Sequence, residues 1–166
     1  MKLESLKDLY LEQLKDLYSA ETQLVDALPK MAEAATSPDL KKGFKDHLKQ
    51  TEEHVTRLEK IFKDLGVSGK GETCEGMKGL IKEGGEMAKM KGEDAARDAG
   101  LIAAAQRVEH YEIAVYGTVR TYAELLGYNQ HVTLLEKTLN EEQATDEKLT
   151  DLAESHINQE AMAGAR

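Results

Sequence analysis

Cysteine, proline and tryptophan are scarce in this sequence, which contains one, two and none of them respectively. Because Cys74 is alone, the chain can form neither an intrachain disulfide nor a metal site built from several thiolates. No apolar run approaches the ~20 residues of a membrane-spanning helix, and the N-terminal segment lacks the apolar core of a signal peptide. We therefore expect a soluble protein of the reducing cytoplasm that does not associate with a membrane.

Clusters of basic residues are also missing. The 22 basic and 31 acidic residues give a formal charge of −9, so nucleic acid is not an expected partner. The alternating apolar pattern of β-strands, a glycine-rich phosphate loop after a strand and a Gly-x-Ser-x-Gly turn are absent as well. With 166 residues, of which 40% are hydrophobic and 32% charged, the chain is typical of a single all-α domain.

Apolar residues recur at helical spacing in four long stretches and one short one, which predict helices over about 3–35, 38–65, 75–90, 96–126 and 130–157. Ser37 followed by Pro38 is a typical helix start. Gly127 and Asn129 predict a short turn, so the last two long helices should be antiparallel neighbours. The connection of roughly 30 residues that holds the short helix could cross the length of a bundle, although an ordinary surface insertion would look the same.

Two positions are expected to disturb the helices. Pro29 lacks an amide hydrogen and crowds the preceding turn, so the first helix should bend there. Beyond about His156 the small and polar residues of the C-terminal tail predict fraying.

Polar side chains interrupt the apolar face of each long helix near its middle. From the first helix to the last, these are Glu21; His47, Gln50 and His54; Glu109 and Glu112; and Glu142 and Asp146. The midpoints of helices of similar length share one layer of a bundle, whichever way each helix runs. We therefore expect these side chains to meet in a single layer of the core.

A layer with five carboxylates needs compensating positive charge, because desolvation and mutual repulsion would each cost several kcal/mol. Two divalent cations would supply +4 against −5. Oxygen-rich ligation with one or two imidazoles and no thiolate favours iron or manganese over zinc and copper, and magnesium is rarely held by protein ligands alone. The sequence thus predicts two iron or manganese ions per chain.

The same acids could also be accommodated without a metal. A single glutamate in the middle of an apolar face is more often half-exposed or paired with arginine than bound to a metal. The candidates for such pairs are Arg57, Arg107 and Arg120. Tyr18 and Tyr116 are expected to pack in the core, and their hydroxyls could also bond a ligating carboxylate.

The remaining histidines, His110, His131 and His156, are expected at the surface.

Four stretches carry a family resemblance: Tyr18-Ser-Ala-Glu-Thr-Gln-Leu, His47-Leu-Lys-Gln-Thr, Leu101-Ile-Ala-Ala-Ala-Gln-Arg-Val-Glu-His-Tyr-Glu-Ile-Ala and Glu141-Glu-Gln-Ala-Thr-Asp-Glu-Lys-Leu-Thr. They resemble the YciE/YciF family of ferritin-like bacterial stress proteins. The resemblance implies a rubrerythrin-like four-helix bundle with a crossover, a homodimer and a dinuclear metal site, in a family often labelled ferroxidase-like.

Ferritin-like proteins take one Glu from the first helix, Glu-x-x-His from the second, Glu from the third and Glu-x-x-His from the fourth. By this resemblance Glu21, Glu109 and Glu142 match the glutamates of the first, third and fourth helices, and Glu112 matches the second acid of the rubrerythrin-type third helix.

The chain departs from the pattern at two places. Thr145 stands where the histidine of the fourth helix is expected, and Asp146 is the nearest donor. The second helix has no Glu-x-x-His and offers Gln50, His54 and His47 instead.

The prediction is a ferritin-like homodimer that uses two iron or manganese ions with small oxidants, either to oxidise Fe(II) or to consume peroxide. A structural helical dimer with a vestigial metal site is the alternative. The expected roles are bridging or paired for Glu109 and Glu142, terminal for Glu21, Glu112 and Asp146, and nitrogen donor for His54 or His47.

Overall fold

Helices account for most of residues 3–163, the part of the chain that the computed structural model describes. They are α1 Leu6–Ala34, α2 Pro38–Leu65, α3 Glu75–Ala88, α4 Asp94–Leu125 and α5 Asn129–Leu152. A π-helical turn, Ala153–Ile157, and α6, Asn158–Ala163, continue from α5. No strand occurs among these residues, so the predicted all-α fold is confirmed.

The four long helices form two antiparallel hairpins, α1 with α2 and α4 with α5. At one end of the bundle the carboxylate of Asp98, early in α4, accepts hydrogen bonds from the Thr36 and Ser37 amides between α1 and α2. At the other end His131, early in α5, contacts Tyr10 near the start of α1. α2 and α4 therefore run in the same direction. The connection between them crosses the bundle length, and its helix α3 packs on α1 and α4.

Local chemistry fixes where the helices begin and end. The Ser37 hydroxyl accepts a hydrogen bond from the Leu40 amide, and Pro38 follows as the first helical residue. Gly66 and Gly127 close α2 and α4 with φ of 66° and 77°, a conformation that glycine adopts without the clash of a Cβ atom. Pro29 lies inside α1, which continues as one helix to Ala34.

The apolar core is divided into two clusters. The lower core, beside the start of α1, contains Tyr10, Leu14, Leu17, Leu58, Ile61, Phe62, Tyr116, Val119, Ala123 and Leu135. The upper core, beside the end of α1, is built around Leu24, Leu28, Leu40, Phe44, Met77, Leu101, Ile102, Val108, Leu149 and Ile157. Buried polar side chains separate them at the level of Glu21, His54, Glu112 and Glu142. This central polar layer is where the apolar faces of the long helices are interrupted.

Two expectations were wrong. The chain does not lose its helical structure after His156, because α6 extends to Ala163. Ile157 is 1% exposed and packs in the upper core, which ties this end to the bundle. His131 is buried rather than superficial: its ring nitrogens lie 3.1 Å from the Tyr10 hydroxyl and 2.8 Å from Asp64 Oδ2. The short turn before α5 places His131 facing the start of α1.

No helix within residues 3–163 has both the length and the hydropathy needed to cross a bilayer.

Candidate metal centre

Potential metal ligands converge in the central polar layer as two groups. The first group consists of His47, Glu109, Glu112 and Glu142, and the second of Glu21, His54 and Glu142. Within each group one ligand atom per residue lies within 4.8 Å of the others. All four long helices contribute, and Glu142 belongs to both groups. The two groups are therefore adjacent and could hold a pair of ions that share one carboxylate.

The layer is shielded from water, since Glu21, His54, Glu112 and Glu142 are 0% exposed and His47 is 4% exposed. Eight side-chain oxygen and nitrogen atoms in these groups have no hydrogen-bond partner. Both carboxylate oxygens of Glu112 and of Glu142 are among them. Native proteins pair nearly all buried polar atoms, so this concentration of unpaired ligand atoms is unusual, and the two groups could hold a metal ion.

The histidines contact the acids of the two groups without hydrogen-bonding to them. His54 Nδ1 lies 2.8 Å from Glu142 Oε1 and 3.3 Å from Glu21 Oε1, and His47 Nε2 lies 3.1 Å from Glu109 Oε1. Neither nitrogen meets the angular requirement of a hydrogen bond. The short distances without the matching angles fit nitrogen and oxygen atoms that are directed at a shared point rather than at each other.

Burial makes the layer unfavourable for the charged acids. It raises the pKa of Glu109 to about 7 and, with the charge of Glu109 as the second cause, the pKa of Glu142 to about 8. Burial and the charges of the neighbouring glutamates raise the pKa of Glu112 as well. Without a cation, the layer therefore retains protons that metal ligation would have to displace.

The two histidines respond differently to the same surroundings. Burial lowers the pKa of His47. For His54 burial is also the largest single influence and lowers the pKa, but the close carboxylates of Glu142 and Glu21 together outweigh it and raise the pKa to about 10. Ligation by His54 Nδ1, which lacks a hydrogen bond, requires the neutral ring, so a cation in the second group would have to displace this proton.

The donor set fits two divalent cations. Four carboxylates carry −4 when ionised, and two neutral imidazoles complete the groups, so two divalent ions would balance the charge. Oxygen donors with imidazole and no thiolate suit iron or manganese. The sequence predicted a fifth carboxylate in this layer, that of Asp146.

Asp146 lies outside both groups. Its side chain is 20% exposed; its carboxylate accepts a hydrogen bond from Gln106 at 3.2 Å, and its other oxygen lies 3.2 Å from His110 Nε2. Asp146 follows Glu142 by four residues and therefore lies about 6 Å further along α5, beside Gln106 and His110 of α4.

Gln50 and Thr145 contact each other beside His47. The Thr145 hydroxyl lies 3.4 Å from Gln50 Oε1 and 3.5 Å from His47 Nδ1. With Nδ1 facing Thr145, the other ring nitrogen of His47 faces Glu109. The sequence left His47 and His54 as alternatives, whereas the structure places one in each group.

Two further residues, Glu141 and Arg57, support His54, and the sequence pattern did not predict this contact. Glu141 Oε2 lies 3.0 Å from His54 Nε2, and Arg57 contacts both oxygens of Glu141 at 2.5 and 3.1 Å. Arg57 also donates to the Thr138 hydroxyl at 3.0 Å. Burial is the largest influence on the pKa of Glu141 and raises it, but Arg57 and His54 together outweigh burial and lower it. Arg57 therefore pairs with Glu141, which directly precedes Glu142, and not with an acid of the two groups.

The other two candidate arginines do not reach the layer. Arg120 pairs with Glu124 at 3.1 Å and with Glu136 at 3.4 Å, and Arg107 is exposed. Among residues 3–163, no arginine forms an ion pair with an acid of the two groups.

Tyr116 and Tyr18 both pack in the bundle, Tyr18 partly buried against the lower core, but their hydroxyls bond different glutamates. The Tyr116 hydroxyl donates to Glu21 Oε1, and burial raises the pKa of Tyr116 well above its usual value, which keeps the hydroxyl protonated as a donor. Tyr18 donates instead to Glu59 on the exposed side, at 3.0 Å.

Comparison with known proteins supports the architecture. The sequence profile of a family described as "Domain of unknown function (DUF892)" matches residues 5–162. Protein YciF of Escherichia coli K12 is 44% identical over 162 residues, which are 97% of this chain and 98% of that protein.

Solved structures agree with this. The crystal structure of the E. coli stress protein YciF has a TM-score of 0.90, with 93% of this chain and 98% of that chain covered. YcfI of Rhodopseudomonas palustris, for which a structural role has been suggested, has a TM-score of 0.87 at 44% identity, with 90% and 95% covered. A Xanthomonas campestris protein of 19% identity has a TM-score of 0.76 over 97% of both chains and shares the fold.

The ferritin-like helical bundle and the resemblance to the YciE/YciF family are thereby confirmed. The chain belongs to the DUF892 family, as a relative of the stress protein YciF.

Proposed function

We propose that the protein binds two iron or manganese ions in the central polar layer and uses them to oxidise Fe(II) or to consume peroxide. The main support is that eight buried oxygen and nitrogen atoms, on side chains of all four long helices, have no hydrogen-bond partner. A hydrogen-bonded polar core would not leave them unpaired. The proposal assigns one ion to His47, Glu109, Glu112 and Glu142, and the other to Glu21, His54 and Glu142.

Bound iron or manganese would supply a pair of redox-active centres that exchange electrons with a small oxidant. The chain's own contribution is to hold the ligands in place and to keep bulk water away from them. Tyr116 orients Glu21, and Glu141 orients His54. The two apolar cores above and below the layer limit solvent access.

The test is to strip the purified protein with a chelator, add Fe(II) or Mn(II) without oxygen and measure bound metal per chain. The proposal predicts two ions per chain for the two groups, with a rise in melting temperature. Addition of peroxide or oxygen should then oxidise Fe(II) faster than the same metal in buffer. Less than one ion per chain, with unchanged melting, would reject the metal site. Metal binding without any rate enhancement would reject the enzymatic part alone.

A structural protein with a vestigial site is the second candidate, favoured by the structural role suggested for the R. palustris relative. In that case Glu142→Ala would stabilise the protein by removing a buried acid and would change no metal content, since there would be none to lose.

The homodimer implied by the family resemblance and the cytoplasmic location expected from the lone free thiol of Cys74 belong to the same proposal. Light scattering on the purified protein tests the dimer directly.

A further inference from the structure

A cavity of about 330 Å³ lies beside the central polar layer, in the half of the bundle that holds the upper core. Its lining extends from the exposed side chains of Lys30 and Lys148 to the buried His47 and Glu109. Helices α1 to α5 all contribute to it. The volume falls in the range of small-molecule sites and exceeds by about tenfold the space that one water occupies in the liquid.

The walls of this cavity are apolar. They are formed mainly by Leu24, Leu28, Phe44, Leu80, Ile81 and Leu149. The carboxylates of the lining lie at its two ends, Asp26 and Asp46 at the mouth near Lys30 and Lys148, and Glu109 at the buried end. The apolar stretch between them lacks the charges that would attract a hydrated cation along its whole length. Peroxide is small and polar, and a much narrower passage would admit it. The walls therefore match an apolar organic molecule better than an ion or an oxidant.

Glycines inside two helices keep the space open. Gly43 in α2 and Gly84 and Gly85 in α3 line the cavity, although glycine is the least favourable residue inside a helix after proline. A Cβ atom on Gly85 would meet nothing within 4 Å, and one on Gly43 would meet only Leu152, at 3.9 Å. Side chains could thus be accommodated at Gly43 and Gly85 without a clash, and their absence leaves room for something else.

We propose that this cavity binds one elongated apolar molecule with a terminal hydroxyl, of the class of straight-chain primary alcohols. The chain packs against the apolar walls, and the hydroxyl faces the polar end formed by Gln50, Thr145, His47 and Glu109. A terminal carboxylate fits less well, because it would be buried without a basic partner: the lysines of the lining, Lys30 and Lys148, lie at the opposite, exposed end. A partner helix, about 10 Å across with its side chains, is too wide for this volume.

Binding of the alcohol does not depend on metal, whereas placement of its hydroxyl beside the ions rests on the proposed function. The probe is 1-decanol, titrated by calorimetry into the full chain, first metal-free and then loaded with Mn(II). Gly43→Leu and Gly85→Leu fill the cavity while raising helix propensity, so both should fold, which circular dichroism checks. Gly79→Leu is the matched control, because Gly79 lies exposed in α3 and does not line the cavity.

We expect saturable binding of 1-decanol at a single site in the wild type and in Gly79→Leu. Both filling variants should bind it with an affinity at least about tenfold lower. In the Mn(II)-loaded protein, the paramagnetic ion should broaden the proton signal of the hydroxyl-bearing carbon more than that of the terminal methyl. Absence of binding, or equal binding in the filling variants, would overturn the inference even if metal is bound. Decanol binding in a protein that takes up no metal would support the cavity site and reject the proposed function instead. Stronger broadening of the methyl end would overturn the orientation.

Discussion

His54 is held between two carboxylates: its Nε2 lies 3.0 Å from Glu141 Oε2, and its Nδ1 lies 2.8 Å from Glu142 Oε1. Because Glu141 is a salt-bridged carboxylate and can only accept, it holds a ring proton on Nε2. When a cation displaces the other ring proton, the lone pair of Nδ1 faces the second ligand group. With a metal bound at Nδ1, this arrangement of carboxylate and histidine would orient the ring and strengthen the ligand.

Replacing Glu141 tests this orientation. Glu141→Gln should weaken Mn(II) binding by about 10- to 100-fold, because the amide no longer fixes the tautomer of His54 and no longer pairs with Arg57. Titration against a competing chelator measures the affinity. Glu136→Gln is the control on the same helix, since Glu136 is half-exposed and pairs with Arg120 at the surface. Equal affinities of the two variants would show that Glu141 has no role in ligation.

The shared position of Glu142 predicts an asymmetric loss of metal. Glu142→Ala removes a ligand from both groups and should abolish tight binding of both ions, whereas Glu21→Ala should leave the group of His47, Glu109 and Glu112 able to hold one. Metal content per chain after desalting distinguishes these outcomes. Asp146→Asn, outside both groups, should retain the wild-type content. A full complement of ions in Glu142→Ala would show that Glu142 is not shared.

The stability of the metal-free protein should fall as pH rises. The pKa of Glu142 is about 8 in the folded chain, above its usual value of 4.5, so the folded state binds more protons than the unfolded state between these values. Glu109, with a pKa of about 7, acts in the same direction. The free energy of unfolding therefore decreases from about pH 4.5 to pH 8.

His54 and His47 change the pH dependence of the free energy of unfolding in two different pH ranges. His54, whose pKa is raised to about 10, adds to the loss of stability between its usual 6.5 and 10. His47, whose pKa is lowered by burial, opposes the loss only below pH 6.5. Thermal melting of chelated protein should thus give a lower Tm at pH 8 than at pH 6. Glu142→Gln should flatten this dependence; an unchanged slope in that variant would assign the effect to other groups.

The hydrogen bond between Tyr116 and Glu21 should contribute to stability. Tyr116→Phe leaves a buried carboxylate oxygen without its donor and should lower the free energy of unfolding by about 1–3 kcal/mol. Tyr18→Phe, which loses only a bond to the exposed Glu59, should cost less than about 1 kcal/mol. Urea denaturation of both variants without metal measures the difference. A larger loss in Tyr18→Phe would contradict the assignment of these roles.

Much of the architecture follows from periodicity. Glu21, Glu109 and Glu142 could be recognised because apolar residues precede and follow each of them at helical spacing, and helix midpoints share a depth in the bundle. Asp146 has the same sequence signal. It lies one helical turn beyond Glu142, about 6 Å along the axis, and its contact with Gln106 of another helix cannot be read from a pattern within α5.

The supporting residues depend on contacts between helices that are distant in sequence. Glu141 precedes Glu142 directly, and nothing in its neighbourhood shows that it meets Arg57, 84 positions earlier. His131 resembles any surface histidine until the turn at Gly127 sets the direction of α5. The pair of Glu141 and Arg57 could have been suspected only by matching a buried arginine with an acid at the same level of a neighbouring helix.

The most direct test of the central claim is anomalous diffraction at the iron and manganese absorption edges from crystals soaked with Fe(II) or Mn(II). We predict two peaks inside the bundle, one among His47, Glu109 and Glu112 and the other between Glu21 and His54, with Glu142 contacting both. Absence of a peak in this layer, with metal confined to surface carboxylates, would contradict the account.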